Sequence, residues 1–134
     1  MIIKVFPDKE RVKSMLKLIE NRERFVSSVN INEFSTIIAE IYYEIIKELA
    51  TSLLLLDGLK TIGENSHKET IENLANHKEF SEEDIVLIND LRIKRNKSSY
   101  EGKPIDKIYI ENKKDNFILI IKKLKKLIKI KLKE

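Results

Sequence analysis

The stretch from Asn32 to Thr61 constrains the fold most. Phe34, Ile37, Ile38, Ile41, Ile45 and Leu49 recur at the spacing that lines one face of a helix, and Leu53 to Leu56 is apolar all round. A helix with such a segment has to be covered from several sides. The pattern therefore predicts a long central helix over about Asn32 to Thr61, closed by Gly63, with the rest of the chain packed around it. The chain of 134 residues is long enough for a sizeable core in one domain spanning residues 1–134. With only 3 Gly and 2 Pro, a turn-rich β protein is disfavoured.

Four further helical segments fit around that centre. The first runs from about Pro7–Asp8 to Ser28, with Val12, Met15, Ile19, Val26 and Val29 as its apolar stripe. A short one covers about Ser66 to Ala75. Another opens at Ser81, with Asp84 three residues on as an approximate capping box, and stops near Gly102–Pro104. The last covers about Asn112 to Lys133, preceded by a short helical or extended piece from Ile105 to Ile110. Nothing alternates with period two for long. The expected fold is all-α, an antiparallel bundle of about five helices.

The absence of Cys removes thiol chemistry, disulfides and sulfur-ligated metals. No secretory signal or spanning apolar run is visible, so a soluble, cytoplasmic protein with no membrane association is expected. Heavy use of Lys, Glu and Ile suits a heat-adapted chain. The net charge of +4 is unevenly spread: from Lys103 onward 11 Lys face 4 acidic residues, or +7, which leaves −3 for the remainder. No Gly-rich phosphate loop, nucleophile elbow or acidic metal cluster is present, and no metal or cofactor is expected.

The most informative local feature is the polar, basic end of the fourth helix, Leu91 to Gly102. Ile85, Ile88 and Leu91 point inward, and the same face continues into Arg92, Asn96, Ser99 and Tyr100. Asn96 and Tyr100 are four apart, Arg92 lies one turn earlier on that line, and Arg95 sits beside Ser99. Polar groups on a core stripe need partners. The segment is either a polar lock between helices or a site for an anionic ligand, to which Lys94, Lys97, Arg92 and Ser99 would add phosphate contacts.

Arg95-Asn96-Lys97-Ser98-Ser99-Tyr100 resembles the signature of the HEPN superfamily (higher eukaryotes and prokaryotes nucleotide-binding domain), an Arg followed after four to six residues by a His, often Arg-Asn-x-x-x-His. Tyr100 stands where the family usually has His. The following Glu-Gly, the short extended piece and the long Lys-rich last helix are similar to archaeal members. The resemblance implies a small helical bundle that dimerises so that two motif copies face one cleft. It implies metal-independent RNA cleavage in active members, RNA-binding or assembly roles in inactive ones, and often pairing with a minimal nucleotidyltransferase in a toxin–antitoxin system. Some family toxins are silenced by nucleotidylation of a Tyr two positions after the His, a place that Gly102 fills here.

On that resemblance Arg95 would hold phosphate, Asn96 orient it and Tyr100 bond ribose or phosphate. A phenol with its usual pKa near 10 is phenolate in only about one molecule in a thousand at pH 7, so Tyr100 argues for weak or absent cleavage. The two histidines, His67 and His77, lack a zinc spacing and suit solvated or capping roles. One of them would replace the motif His only if its loop folds over the cleft. The last helix, with Phe117, Ile120, Ile121, Leu124 and Leu127/Ile128 as its apolar stripe, suits a packed helix with a lysine face that is either solvated or bound to RNA backbone. Two functional readings follow: an RNA- or nucleotide-binding homodimer, and a helical interaction module without chemistry of its own.

Overall fold

A computed structural model describes all 134 residues. Strand β1 (Ile2–Lys4) leads into α1 (Lys9–Ser28) and α2 (Ile31–Leu56). Strand β2 (Leu59–Thr61), α3 (Ser66–Glu72) with a trailing 3₁₀ turn (Asn73–Asn76), α4 (Glu82–Glu101) and α5 (Lys107–Leu132) follow. The protein is an all-α helical bundle with one two-stranded ribbon. No helix is long and apolar enough to cross a membrane.

Helix α2 is the centre, as its apolar pattern requires. Eleven of its residues are buried, including both Tyr42 and Tyr43. Around it, Val12, Ile19 and Val26 of α1, Ile71 of α3, Ile88 and Leu91 of α4, and Ile110, Phe117, Ile120, Ile121, Leu124 and Ile128 of α5 join one continuous core. The stripes expected on α1 and α5 are the ones that pack.

Local signals set most helix ends. Asp8 accepts from the Arg11 amide at 3.0 Å, and Ser81 and Asp84 exchange reciprocal bonds of 3.1 Å as a full capping box. Helix α4 closes on Gly102 at φ +68°, with the Lys103 amide donating to the Lys97 carbonyl and the Gly102 amide to that of Ser98.

The structure differs from the sequence expectation at two ends. The central helix stops at Leu56 rather than near Thr61, because Gly58 turns the chain at φ +72° into β2, which pairs antiparallel with β1 (Ile2 opposite Thr61, Lys4 opposite Leu59). Gly63 is therefore not its terminator. The last helix begins at Lys107, not Asn112, because the Asp106 carboxylate caps the Ile108 amide at 3.0 Å. Just before it, Ile105 is pinned to the start of α2: its amide donates to Thr36 Oγ1 (2.9 Å) and its carbonyl accepts from Ser35 Oγ (2.8 Å). That docking sits next to a break in α2 at Phe34 (φ −123°, ψ 33°).

A Cβ on Gly58 would lie 3.0 Å from the Val5 carbonyl oxygen, whereas one on Gly102 would meet nothing within 4 Å. Both glycines have left-handed backbones, which cost an L-residue about 1–2 kcal/mol. Gly58→Ala is expected to destabilise the protein by more than Gly102→Ala, about 2–3 against about 1 kcal/mol, read from urea denaturation midpoints. Equal losses would show that the β1 turn does not press on Gly58.

Candidate functional site

The polar end of α4 lies against a polar stripe on α2. Glu40, Glu44, Lys47, Glu48 and Thr51 recur at helical spacing on a helix whose stretch from Ile37 to Ala50 is otherwise apolar, and the first four are partly buried. Ser98 Oγ donates to Glu40 Oε2 at 3.0 Å and lies 2.9 Å from the Arg95 carbonyl; Ser99 Oγ is 3.4 Å from the same carboxylate oxygen. Further along, Lys47 sits between Glu44 (3.2 Å) and Glu48 (3.5 Å). A polar lock between helices thus exists, and serines rather than arginines make it.

Arg92 and Arg95 stand beside the lock without a carboxylate partner. Arg92 Nε donates to Asn89 Oδ1 at 3.2 Å, and Arg95 Nη1 makes a long 3.4 Å contact to Asn96 Oδ1. The Arg95 guanidinium lies 5.6 Å from the ring centre of Tyr43, a cation–π placement. Tyr43 is fully buried and its hydroxyl makes no hydrogen bond. Burial pushes the Tyr43 phenol up to about 12, against the opposing pull of Arg95 and Arg92, so it stays a proton donor at neutral pH.

The residues singled out in the sequence divide into two groups. Arg92, Arg95, Asn96 and Ser99 share the side that meets α2. Lys94 is two positions from Arg92, about 200° round the helix, and faces the other way. Its ammonium is 4.8 Å from the Tyr109 ring centre and 3.6 Å from Asp90. With Lys97, Lys103 and Tyr109 it lines a separate cleft of about 340 Å³. The six polar residues do not form one cradle, because the helical turn sends the lysines to a different face. Tyr100, in the last turn, is 80% exposed and does not continue the inward stripe.

His67, at the start of α3, enters the field of the same group. The residue is largely open to solvent, and its pKa is held below the ordinary value by partial desolvation of the ring, then by the positive charges of Lys47, Arg95 and Arg92, with Glu44 opposing them. Glu44 is buried at a cost, yet Lys47 and Arg22 hold its carboxyl below the usual range; burial and the neighbouring Glu44 push Glu48 up. His77 packs edge-on to Phe80, 6.5 Å between centres. No group of three His, Asp or Glu is arranged to hold a metal ion.

The lysines of α5 also divide. Lys123, Lys125 and Lys131 reach Asp84 (3.0 Å), Glu23 (2.7 Å) and Asp57 (2.6 Å) and so tie α5 to α4, α1 and the end of α2. Lys122, Lys126, Lys129 and Lys133 have no acidic partner and line one open face. Sequence reading missed Tyr43 as the floor beneath Arg95 and Glu40 as the acceptor of the lock. The available signal was the run of Glu40, Glu44, Lys47 and Glu48 at helical spacing on the most buried helix.

A testable consequence concerns pH. A histidine whose charged form is disfavoured in the fold binds its proton more weakly there than in the unfolded chain. Its contribution to stability is complete above the unfolded pKa of about 6.5 and is lost as pH falls below that value. Between pH about 7.5 and about 5.5, the stability of His67→Gln should fall less than that of the parent protein. Parallel curves from urea denaturation would contradict the placement. Compared with protein-family models, curated proteins and solved structures, the chain matches none of them.

Proposed function

We propose that the chain binds RNA, or a nucleotide as a fragment of it, through Arg92 and Arg95, and that it works as a homodimer in the manner its HEPN-like motif implies. The observation that carries this reading is the state of the two guanidinium groups. Three carboxylates of α2 run alongside them, yet Glu40 is taken by Ser98 and Ser99, and Glu44 and Glu48 are taken by Lys47. Both arginine forks keep free donors, which match phosphate oxygens in charge and geometry. The unpaired lysine face of α5 supports the same reading, since it adds affinity for a polyanion without sequence preference.

What supports a dimer is the outer edge of α4. Val86, Ile93 and Tyr100 are seven residues apart and all exposed. Glu82 and Glu83 lie at one end of this stripe, Lys97 and Lys103 at the other. Two copies packed antiparallel about Ile93 would set opposite charges against each other and bring both Asn96 residues near the twofold axis.

The chemistry favours binding over cutting. A phenol is an ineffective general base for RNA cleavage, and Tyr100 lies on the surface. His67 is kept toward its neutral form within the field of Arg92 and Arg95, and so is the better proton acceptor of the two. Labelled RNA in the presence of a chelator tests the reading. Arg95→Ala should weaken binding about tenfold and reduce the salt slope by about one ion. Cutting is expected only from Tyr100→His. Parent-like binding by Arg95→Ala would sink the proposal. No RNA binding by the parent at low salt would favour the second reading, a helical interaction module that docks to a partner such as a minimal nucleotidyltransferase through the α4 stripe.

A further inference from the structure

One cavity is lined by none of the motif residues. Its walls come from α1, α2, β2 and α3, and it holds about 230 Å³. Arg11, Lys47 and Lys60 bring positive charge to it from three different elements, and Leu54 is its only apolar wall. Arg11 and Lys60 have no acidic partner, while Lys47 is already shared by Glu44 and Glu48. Hydroxyls line the β2–α3 side in a fixed chain: Thr61 Oγ1 and Thr70 Oγ1 are 2.7 Å apart, and Thr70 Oγ1 donates to the Ser66 carbonyl at 2.8 Å. Thr70 is buried, so this wall is set by the fold.

A smaller cavity of about 60 Å³ adjoins it and shares Arg11, Glu48, Thr51 and Lys60. Its other walls include Val12, Met15, Leu55 and Leu59. A cationic chamber therefore adjoins a more apolar one, and two unpaired cations, Arg11 and Lys60, line both. Such a pairing of apolar space with a few converging polar groups is the ordinary construction of a small-molecule site.

We infer that this double cavity binds a phosphate monoester, the phosphate between Arg11 and Lys60, with an apolar or planar group of the same molecule against Met15 and Leu59. Glu48 does not defeat anion binding. Its carboxylate is already paired with Lys47 at 3.5 Å, and Arg11, Lys47 and Lys60 outnumber it in the lining of the larger cavity. The monoester has two sources, a free nucleotide-like molecule or the 5′ end of an RNA. The inference does not rest on the reading of Arg92 and Arg95.

Magnetic-resonance titration of the full chain with inorganic phosphate, adenosine monophosphate and adenosine tests it, with sodium chloride at matched ionic strength as control. Phosphate and the monophosphate should move the amides of Thr61, His67 and Thr70, the monophosphate should also move Met15 and Leu59, and adenosine alone should bind more weakly. Lys60→Gln and Arg11→Gln change exposed side chains. With unchanged melting temperatures in the absence of ligand, each should weaken monophosphate binding about tenfold. Arg95→Ala should leave it unchanged, which separates this site from the arginines of α4. Tighter binding of a 5′-phosphorylated than of a 5′-hydroxyl oligonucleotide, lost in Lys60→Gln, would assign the RNA end as ligand; monophosphate binding without that difference would assign a free molecule. Shifts confined to α4, or parent-like affinity in both variants, would overturn the inference.

Discussion

The structure depends on the covering of α2. Its segment from Ile38 to Leu54 has buried residues on almost every side, so α1, α4 and α5 each have to present an apolar stripe to it, and α3 fills the remaining corner with Ile71. Each fully buried aliphatic or aromatic side chain contributes about 1.5–3 kcal/mol, and this helix supplies the largest set. Helix ends, loops and ion pairs adjust to that demand. Lys123, Lys125 and Lys131 hold α5 in place at its edges, but pairs as exposed as these stabilise by little compared with the apolar face they flank.

The same covering creates the polar site. One strip of α2 carries Glu40, Glu44, Lys47 and Glu48, and placing it beneath α3 and α4 partly desolvates every one of them. Partial burial raises the cost of leaving any charge unmatched. The carboxylates find serines and a lysine at hydrogen-bond distance, and the arginines of α4 are left over. Arg95 lies on the face of a buried tyrosine whose hydroxyl has no partner, so two groups with unused hydrogen-bonding capacity stand together. The positive charge of guanidinium groups with free donors, beside carboxylates already bonded elsewhere, is the physical basis of the functional reading. It also lowers the basicity of His67, which no neighbour in the chain sequence would foretell.

Much of the fold was legible because its signals are local or periodic. The Ser81–Asp84 box, Gly102 and the stripes of α1 and α5 appear where spacing places them, and the α2 stripe does so from Ile38 onward. Its first two members, Phe34 and Ile37, are exposed, because α2 breaks at Phe34 and extends there past the helices that cover its centre. The ribbon was not legible, because two three-residue strands are too short to show alternation and their pairing joins Ile2 to Thr61 across the length of two helices. Gly58 was passed over for Gly63 because the apolar run Leu53–Leu56 with Leu59 reads as continuing helix. Only the close approach of Val5 shows why the chain turns earlier. At the site, a face drawn from α4 alone grouped Arg92 with Asn96 correctly. It could not reveal that Ser98 would take Glu40, that Lys94 would turn to Tyr109, or that Tyr100 would end on the surface.

The central claim is that the unpaired arginines of α4, and not the lysine surface at large, receive phosphate. The most direct test follows the arginine side-chain Nε–H resonances during addition of a short single-stranded RNA. The account predicts that Arg92 and Arg95 shift and exchange more slowly as phosphate takes up their free donors, while Arg24, on the exposed side of α1 beside Asn21, stays unchanged. Unmoved Arg92 and Arg95 signals, with changes confined to the lysines of α5, would contradict it.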